Sequence, residues 1–145
     1  MSEQDDADLL AARCANAMWA EDSASQAMGM QIVSVREGCA VVSMTVRETM
    51  VNGHGMCHGG MIFSLADSAF AFACNSQNFV AVASGACIDY LQPASTGDVL
   101  TASASIVNQG KKTGLYDVAV SDQNNQIIAQ FRGRSARIRG AIIPE

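Results

Sequence analysis

Three polar residues interrupt a segment of the chain that is otherwise almost wholly apolar. Ser64, Asp67 and Ser68 lie within Met61–Asn75 at spacings of three and four residues, which place them on one face of a helix. Burying a carboxylate is unfavourable unless it is hydrogen-bonded, paired or used in chemistry. Two interpretations therefore stay open: Asp67 is a structural carboxylate bonded to backbone or to Ser68, or it is a general base.

The residues before this segment suggest a partner for such a base. His58-Gly59-Gly60 falls where the first helical turn begins, and the free N–H groups there carry partial positive charge. Glycine leaves room for a carbonyl oxygen to approach those groups, so Gly59 and Asp67 would form an oxyanion hole and a base. The alternative for the glycines is a tight turn. Asn52, before Gly53, is either a turn residue or an amide that orients water or a carbonyl.

Other kinds of site are less well supported. His54, Cys57 and His58 offer three metal ligands within five residues, but no second ligand cluster is visible, so we expect no metal. The sequence contains no G-x-S-x-G, G-x-G-x-x-G or P-loop pattern, which argues against a serine hydrolase or a nucleotide site of those kinds. We expect no cofactor.

The elements that would position these residues follow from hydrophobic periodicity. The segment 61–75 is apolar nearly all round, which predicts a long buried helix, and 8–19 predicts a short amphipathic helix near the N-terminus. Strand-like runs cover 30–36, 39–47, 79–91, 99–107, 115–121 and 127–138. Short turns between the last three runs predict antiparallel hairpins. The sequence thus predicts an α+β fold, with the central helix against a curved antiparallel sheet of five or six strands.

Length and composition limit the class of protein. The chain has 145 residues, 49% of them hydrophobic and 16% charged, which predicts one folded domain over 1–145 that begins with an acidic helical segment, 1–25. The sequence contains no run of about 20 apolar residues, so we predict no membrane span. The net charge of −5 argues against nucleic acid as a partner. An acidic start and five irregularly spaced cysteines lead us to expect a reduced, cytoplasmic protein.

Taken together, these motifs resemble the hot-dog thioesterases, and among them the thioesterases of phenylacetate degradation. The resemblance covers nearly everything after residue 25, and it is carried by Asn52-Gly53, His58-Gly59-Gly60, 63–76, 88–94, 109–114 and 131–135. It implies hydrolysis of phenylacetyl-coenzyme A or its ring-hydroxylated forms. It also implies a homodimer, commonly paired into a homotetramer, with the active site at the subunit interface. A hot-dog enoyl-coenzyme A hydratase and a non-catalytic acyl-coenzyme A binding module remain alternatives.

The resemblance also implies roles for individual residues. Asp67 would be the catalytic carboxylate and Gly59 would donate its N–H to the thioester carbonyl. Asn52 and His58 would line the same site from the facing subunit, and Ser68 would help to position water. The remaining residues expected to bind substrate or coenzyme A are Gly60, Lys111, Lys112, Thr113, Arg132 and Arg134. Strand alternation places Arg132 and Arg134 on one face and Arg137 on the other, so these arginines cannot all serve one ligand.

Overall fold

The computed structural model describes residues 1–144, which form three α-helices, a 3-10 turn and six β-strands. The helices are α1 (Glu3–Glu21), α2 (Ser23–Ala27) and α3 (Gly59–Cys74), with the 3-10 turn at Glu48–Met50. The strands are β1 (Gln31–Arg36), β2 (Cys39–Thr45), β3 (Ala81–Tyr90), β4 (Val99–Gln109), β5 (Thr113–Ser121) and β6 (Ile127–Arg137). Within these residues, no helix is both long and apolar enough to cross a bilayer.

The six strands form a single antiparallel sheet that curves around α3. Their order is β1-β2-β4-β5-β6-β3, and the β4–β5 and β5–β6 hairpins pair as the sequence predicted. The helix packs mainly against β2, β4 and β5. Strands β1 and β3 are the two edges, and β3 is bonded to β6 along one side only. The predicted α+β arrangement is confirmed, with six strands.

Helix α3 is held to the sheet by an aromatic cluster. The Phe70 ring lies 5.8 Å from both Tyr116 and Phe131, measured between ring centroids. Gly133 on β6 lies directly beneath Phe70, because a Cβ atom there would stand 2.8 Å from three atoms of that ring. Burying a side chain of this size contributes roughly 1.5–3 kcal/mol. This packing fixes how α3 is rotated and therefore where its polar residues point.

The N-terminal region differs from its predicted form. Helix α1 begins at Glu3 because Ser2 and Asp5 form a reciprocal capping box, so it is longer than the predicted 8–19. A second helix, α2, follows directly and was not predicted. The Asp22 carboxylate caps it by accepting the Ser25 N–H at 3.0 Å. This short helix brings polar groups against α3.

Candidate active site

The N-terminus of α3 carries a free hydrogen-bond donor. His58 caps the helix, since its Nδ1 accepts the Gly60 N–H at 3.0 Å and its carbonyl accepts the Met61 N–H at 2.9 Å. Within residues 1–144, the N–H of Gly59 donates to no protein atom. A free backbone donor at the positive end of a buried 16-residue helix suits an anion or a polarised carbonyl oxygen.

Tyr90 packs closely over this helix terminus. Its hydroxyl donates to the Gly59 carbonyl at 2.8 Å, and a Cβ atom on residue 59 would lie 2.9 Å from the Tyr90 Cζ. Glycine at 59 is therefore required for the close approach of the ring. Burial raises the pKa of Tyr90, so the phenol stays a donor at neutral pH. Sequence reasoning missed Tyr90, because nothing in its local pattern connects it with residue 59.

Asn52 is a turn residue, which is one of the two roles that the sequence left open. Its side-chain oxygen accepts N–H bonds from His54 at 2.9 Å and Met56 at 3.2 Å, which closes the loop before α3. Among the described residues, its NH₂ group has no hydrogen-bond partner. Asn52 and Gly59 line the same cleft of about 370 Å³, whose other walls include Ile62, Tyr90, Leu91 and Pro93. The loop geometry therefore leaves a side-chain donor facing an apolar cleft.

Asp67 lies in a different cleft. This second cleft, of about 360 Å³, is bounded by Phe63, Ser64 and Ser68 of α3 and by Asp22 and Ser25 of the α2 region. The Asp67 carboxylate is half-buried and bonds to none of the side chains or backbone groups of residues 1–144. Ser68 bonds Ser25 at 2.7 Å and does not bond Asp67. Burial, and then the negative charge of Asp22, raise the pKa of Asp67.

Gly59 and Asp67 of one chain are too far apart to act together. They are eight residues apart on a regular helix, so roughly 12 Å of axial rise separates them. A general base and an oxyanion donor act on one carbonyl group, within hydrogen-bond reach of the water and of the oxygen. This separation fits the resemblance stated from the sequence, which implies an active site at the subunit interface. One chain places Gly59 and Asp67 in two separate clefts.

The basic residues expected to bind coenzyme A are dispersed. Lys111, Lys112 and Thr113 are exposed at the β4–β5 turn. Arg132 and Arg134 are exposed on the sheet face opposite α3, and Arg132 forms a two-pronged ion pair with Asp117 at 2.6 and 3.0 Å. The structure of one chain thus does not gather these groups around Gly59.

Register along β3 shows how far the exposed arginines lie from the cleft. Arg134 pairs with Gly85, which is five residues from Tyr90, or roughly 17 Å along the strand. Arg137 is on the other face, as the alternation predicted, where it stacks 4.1 Å from the centre of the Phe79 ring. Its guanidinium also donates to Gln77 at 2.6 Å, which makes Arg137 a structural residue in this chain.

The possible metal ligands do not assemble into a cluster. His54 is exposed at the tip of its loop and His58 caps α3, whereas Cys57 is buried. Burial raises the pKa of the Cys57 thiol, which disfavours the thiolate that a metal ion needs. Within residues 1–144, no three His, Cys, Asp or Glu side chains lie close enough together to hold an ion.

Comparison with known proteins gives consistent matches. The model of the thioesterase superfamily matches residues 54–129. Acyl-coenzyme A thioesterase PaaI of Escherichia coli strain K12 is 53% identical over 131 residues, covering 90% of this chain and 94% of that protein. The solved structure of E. coli PaaI, from the phenylacetic acid degradation operon, gives a TM-score of 0.92 at 51% identity and covers 92% of this chain and 97% of that one. A structure of smu.793 from Streptococcus mutans UA159 bound to acetyl CoA gives a TM-score of 0.74 at 30% identity, covering 77% and 90%.

Proposed function

The chain belongs to the thioesterase superfamily, and from that membership we propose that it hydrolyses acyl-coenzyme A thioesters to the free acid and coenzyme A. The resemblance stated from the sequence and the hot-dog fold are both confirmed. The observation that carries the proposal is the free Gly59 N–H at the N-terminus of α3, which opens on an apolar cleft. A donor in that position stabilises the oxyanion that forms when a thioester carbonyl is attacked.

The acyl group is proposed to be phenylacetyl or a ring-hydroxylated phenylacetyl. The cleft beside Gly59 has room for one small aromatic ring, and Ile62, Leu91 and Pro93 give it apolar walls. The E. coli relative is named for phenylacetic acid degradation. The Tyr90 hydroxyl, which lines the cleft and donates to the Gly59 carbonyl, is proposed to accept a hydrogen bond from a ring hydroxyl.

The working enzyme is proposed to be a homodimer that forms through β3, with dimers paired into a homotetramer. Strand β3 is an edge ten residues long, and most of its side chains are exposed on both faces. It contains no lysine, arginine or proline, which are the residues that usually prevent edge strands from pairing. A second copy of the chain satisfies the unpaired edge and covers Val82 and Tyr90. This pairing supplies Gly59 from one subunit and Asp67 from its partner.

In the proposed reaction, the thioester carbonyl oxygen accepts the N–H of Gly59 and the Asn52 amide lines the same cleft. The partner's Asp67 takes a proton from water, and the water oxygen attacks the carbonyl carbon. The tetrahedral intermediate collapses with cleavage of the C–S bond. The proton held by Asp67 passes to the departing thiolate, so water is divided between acid and thiol. A route in which Asp67 attacks directly and forms an anhydride gives the same products.

The coenzyme A moiety requires contacts outside the two clefts. Its phosphates are proposed to bind the exposed basic residues Lys111, Lys112 and Arg134, with Thr113 as a neutral donor. Gly60 is a weaker candidate, because its N–H already donates to His58 Nδ1. Arg132 is a weaker candidate, because its guanidinium is already paired with Asp117. The S. mutans relative bound to acetyl CoA supports a site for coenzyme A on this fold.

The proposal is tested by thiol release from phenylacetyl, hydroxyphenylacetyl, benzoyl and straight-chain coenzyme A esters. Wild type is compared with Asp67→Asn and with a matched control, Asp6→Asn, which changes an exposed aspartate on α1. We expect rapid release from the arylacetyl esters, a loss of kcat of roughly 10²–10⁴-fold in Asp67→Asn, and no change in the control. Tight binding without release indicates a binding module, and hydration of an enoyl ester without release indicates a hydratase.

A further inference from the structure

A chain of three hydrogen-bonding side chains leads from α2 to the face of α3 that carries Asp67. The Ser25 hydroxyl lies 2.6 Å from the Asp22 carboxylate and 2.7 Å from the Ser68 hydroxyl. Ser25 is almost fully buried, at 2% exposure. Ser68 is the residue after Asp67, and all four side chains line one cleft. Neither Asp22 nor Ser25 was predicted as a site residue.

The directions of the hydrogen bonds in this chain follow from chemistry. A carboxylate has no hydrogen to donate, so Ser25 donates its single hydroxyl hydrogen to Asp22. The bond between the two serines must then be donated by Ser68. Ser64, one turn earlier on the same face, instead donates to the Gly60 carbonyl of its own helix. Ser68 therefore presents only lone pairs to the cleft that holds Asp67.

We propose that Asp22 and Ser25 are positioning residues that fix Ser68 as a hydrogen-bond acceptor for the hydrolytic water. This inference rests on the proposed thioesterase function. One hydrogen of the water is accepted by Asp67 and the other by the Ser68 oxygen. Both hydrogens then point into the protein, so a lone pair of the water oxygen faces the thioester carbon. Without this constraint, a Ser68 hydroxyl that donates to the water occupies the lone pair needed for attack.

Asp22 has a second, separable effect through its charge. Burial and the negative charge of Asp22 raise the pKa of Asp67. Among the described residues, the other titratable group that interacts with Asp67 is Cys74, two turns along α3. Burial raises the pKa of Cys74 to about 12, so its thiol is neutral. In the proposed dimer, the partner's His58 is the additional titratable group at the site. The serine chain can be broken at Ser25 without a change in the charge of Asp22.

Two substitutions separate these effects. Ser25→Ala breaks the chain and keeps the charge at residue 22. Asp22→Asn keeps the shape and removes the charge. Its amide oxygen accepts the Ser25 N–H, which places the NH₂ group against the Ser25 hydroxyl and reverses the direction of the chain. The matched control is Ser23→Ala, an exposed serine on the same helix.

The experiment measures kcat and KM for thiol release from phenylacetyl-coenzyme A across pH, with circular dichroism to verify folding. We expect kcat to fall roughly 10-fold in Ser25→Ala and in Asp22→Asn, with KM unchanged, the effect of one lost hydrogen bond. Either change added to Ser68→Ala should lower kcat no further than Ser68→Ala alone. The acid limb of the kcat profile should move to lower pH in Asp22→Asn and stay in place in Ser25→Ala.

The results distinguish this inference from the function on which it rests. If wild type releases no thiol from any ester, the proposed function fails and the inference fails with it. If wild type is active, Asp67→Asn is inactive and Ser25→Ala matches Ser23→Ala, the inference alone is refuted. Losses that multiply when Ser25→Ala is combined with Ser68→Ala also refute it, because the two serines would then act independently.

Discussion

Replacing Gly59 with proline removes a single hydrogen-bond donor from the N-terminus of α3. Gly59 is the first helical residue, a position that proline favours, and His58 before it already has the extended backbone that proline requires, with φ −60° and ψ 134°. The helix should therefore form normally. Because the missing N–H is the proposed oxyanion donor, we expect kcat to fall by roughly 10²–10³-fold.

Gly59→Ala is the matched control for this change. Both substitutions add a Cβ atom 2.9 Å from the Tyr90 ring, so both push that ring away, and only proline removes the N–H. Tyr90 is half exposed and has room to shift. We expect alanine to lower kcat clearly less than proline does. Equal losses in the two variants would show that crowding, and not the loss of the donor, explains the effect.

The same variant tests whether the active site lies between subunits. In a mixture of Gly59→Pro and Asp67→Asn chains that exchange freely, half of the dimers are hybrids. Each hybrid has one site with both native residues, so activity should recover to about one quarter of wild type. The assay is thiol release before and after subunit exchange. Mass spectrometry verifies that the subunits have exchanged. If activity does not recover after verified exchange, Gly59 and Asp67 act within one chain, despite the roughly 12 Å of helix between them.

Further predictions concern pH, packing and the edge strand. Because burial and Asp22 raise the pKa of Asp67, the acid limb of kcat/KM should lie above the ordinary aspartate value of about 3.9, with activity lost as pH falls through it. Because the pKa of Asp67 is raised in the folded state, the free energy of unfolding declines as pH rises from the unfolded-state pKa through the folded-state pKa. Asp67→Asn removes this loss, so it should raise the urea midpoint at pH 7 but not below pH 3. Gly133→Ala forces Phe70 out of place and should lower the free energy of unfolding by about 1–3 kcal/mol in urea titrations. Ala86→Lys puts a charge on the exposed β3 edge and should prevent dimerisation. We expect monomers in sedimentation experiments and no thiol release by this variant.

The central helix and the hairpins were predictable because their signals are local. An apolar run interrupted on one face specifies a buried helix, and alternating residues around short turns specify hairpins. The apolar pattern begins at Met61, two residues after the first residue of α3, but the placement of the first helical turn at His58-Gly59-Gly60 is confirmed. The cap itself was not predicted, because histidine is not among the usual capping residues. The start of α1 was missed for a different reason, because the Ser2 and Asp5 capping box lies outside the apolar pattern.

The second half of the candidate site was not predictable from spacing. Ser25 and Ser68 are 43 residues apart in the chain, and Tyr90 is 31 residues from Gly59, yet each pair is joined by a hydrogen bond. Nothing in the type of residue marks Ser25 as different from Ser23, its exposed neighbour. Only the docking of α2 on α3 distinguishes them. Long-range contacts of this kind depend on the packed fold, which the sequence pattern does not report.

In the mechanism that we propose, the geometry of α3 makes dimerisation a condition for catalysis. Eight residues turn a helix by about 80° beyond two full turns, so Gly59 and Asp67 differ both in height and in direction. A two-fold axis that brings Gly59 of one subunit opposite Asp67 of the other also brings Asp67 of the first opposite Gly59 of the second. In the proposed dimer, both active sites therefore form in the same event, and a free monomer would have none. We expect specific activity to decline on dilution through the dimer dissociation constant, and retained activity in monomers identified by sedimentation would contradict this coupling.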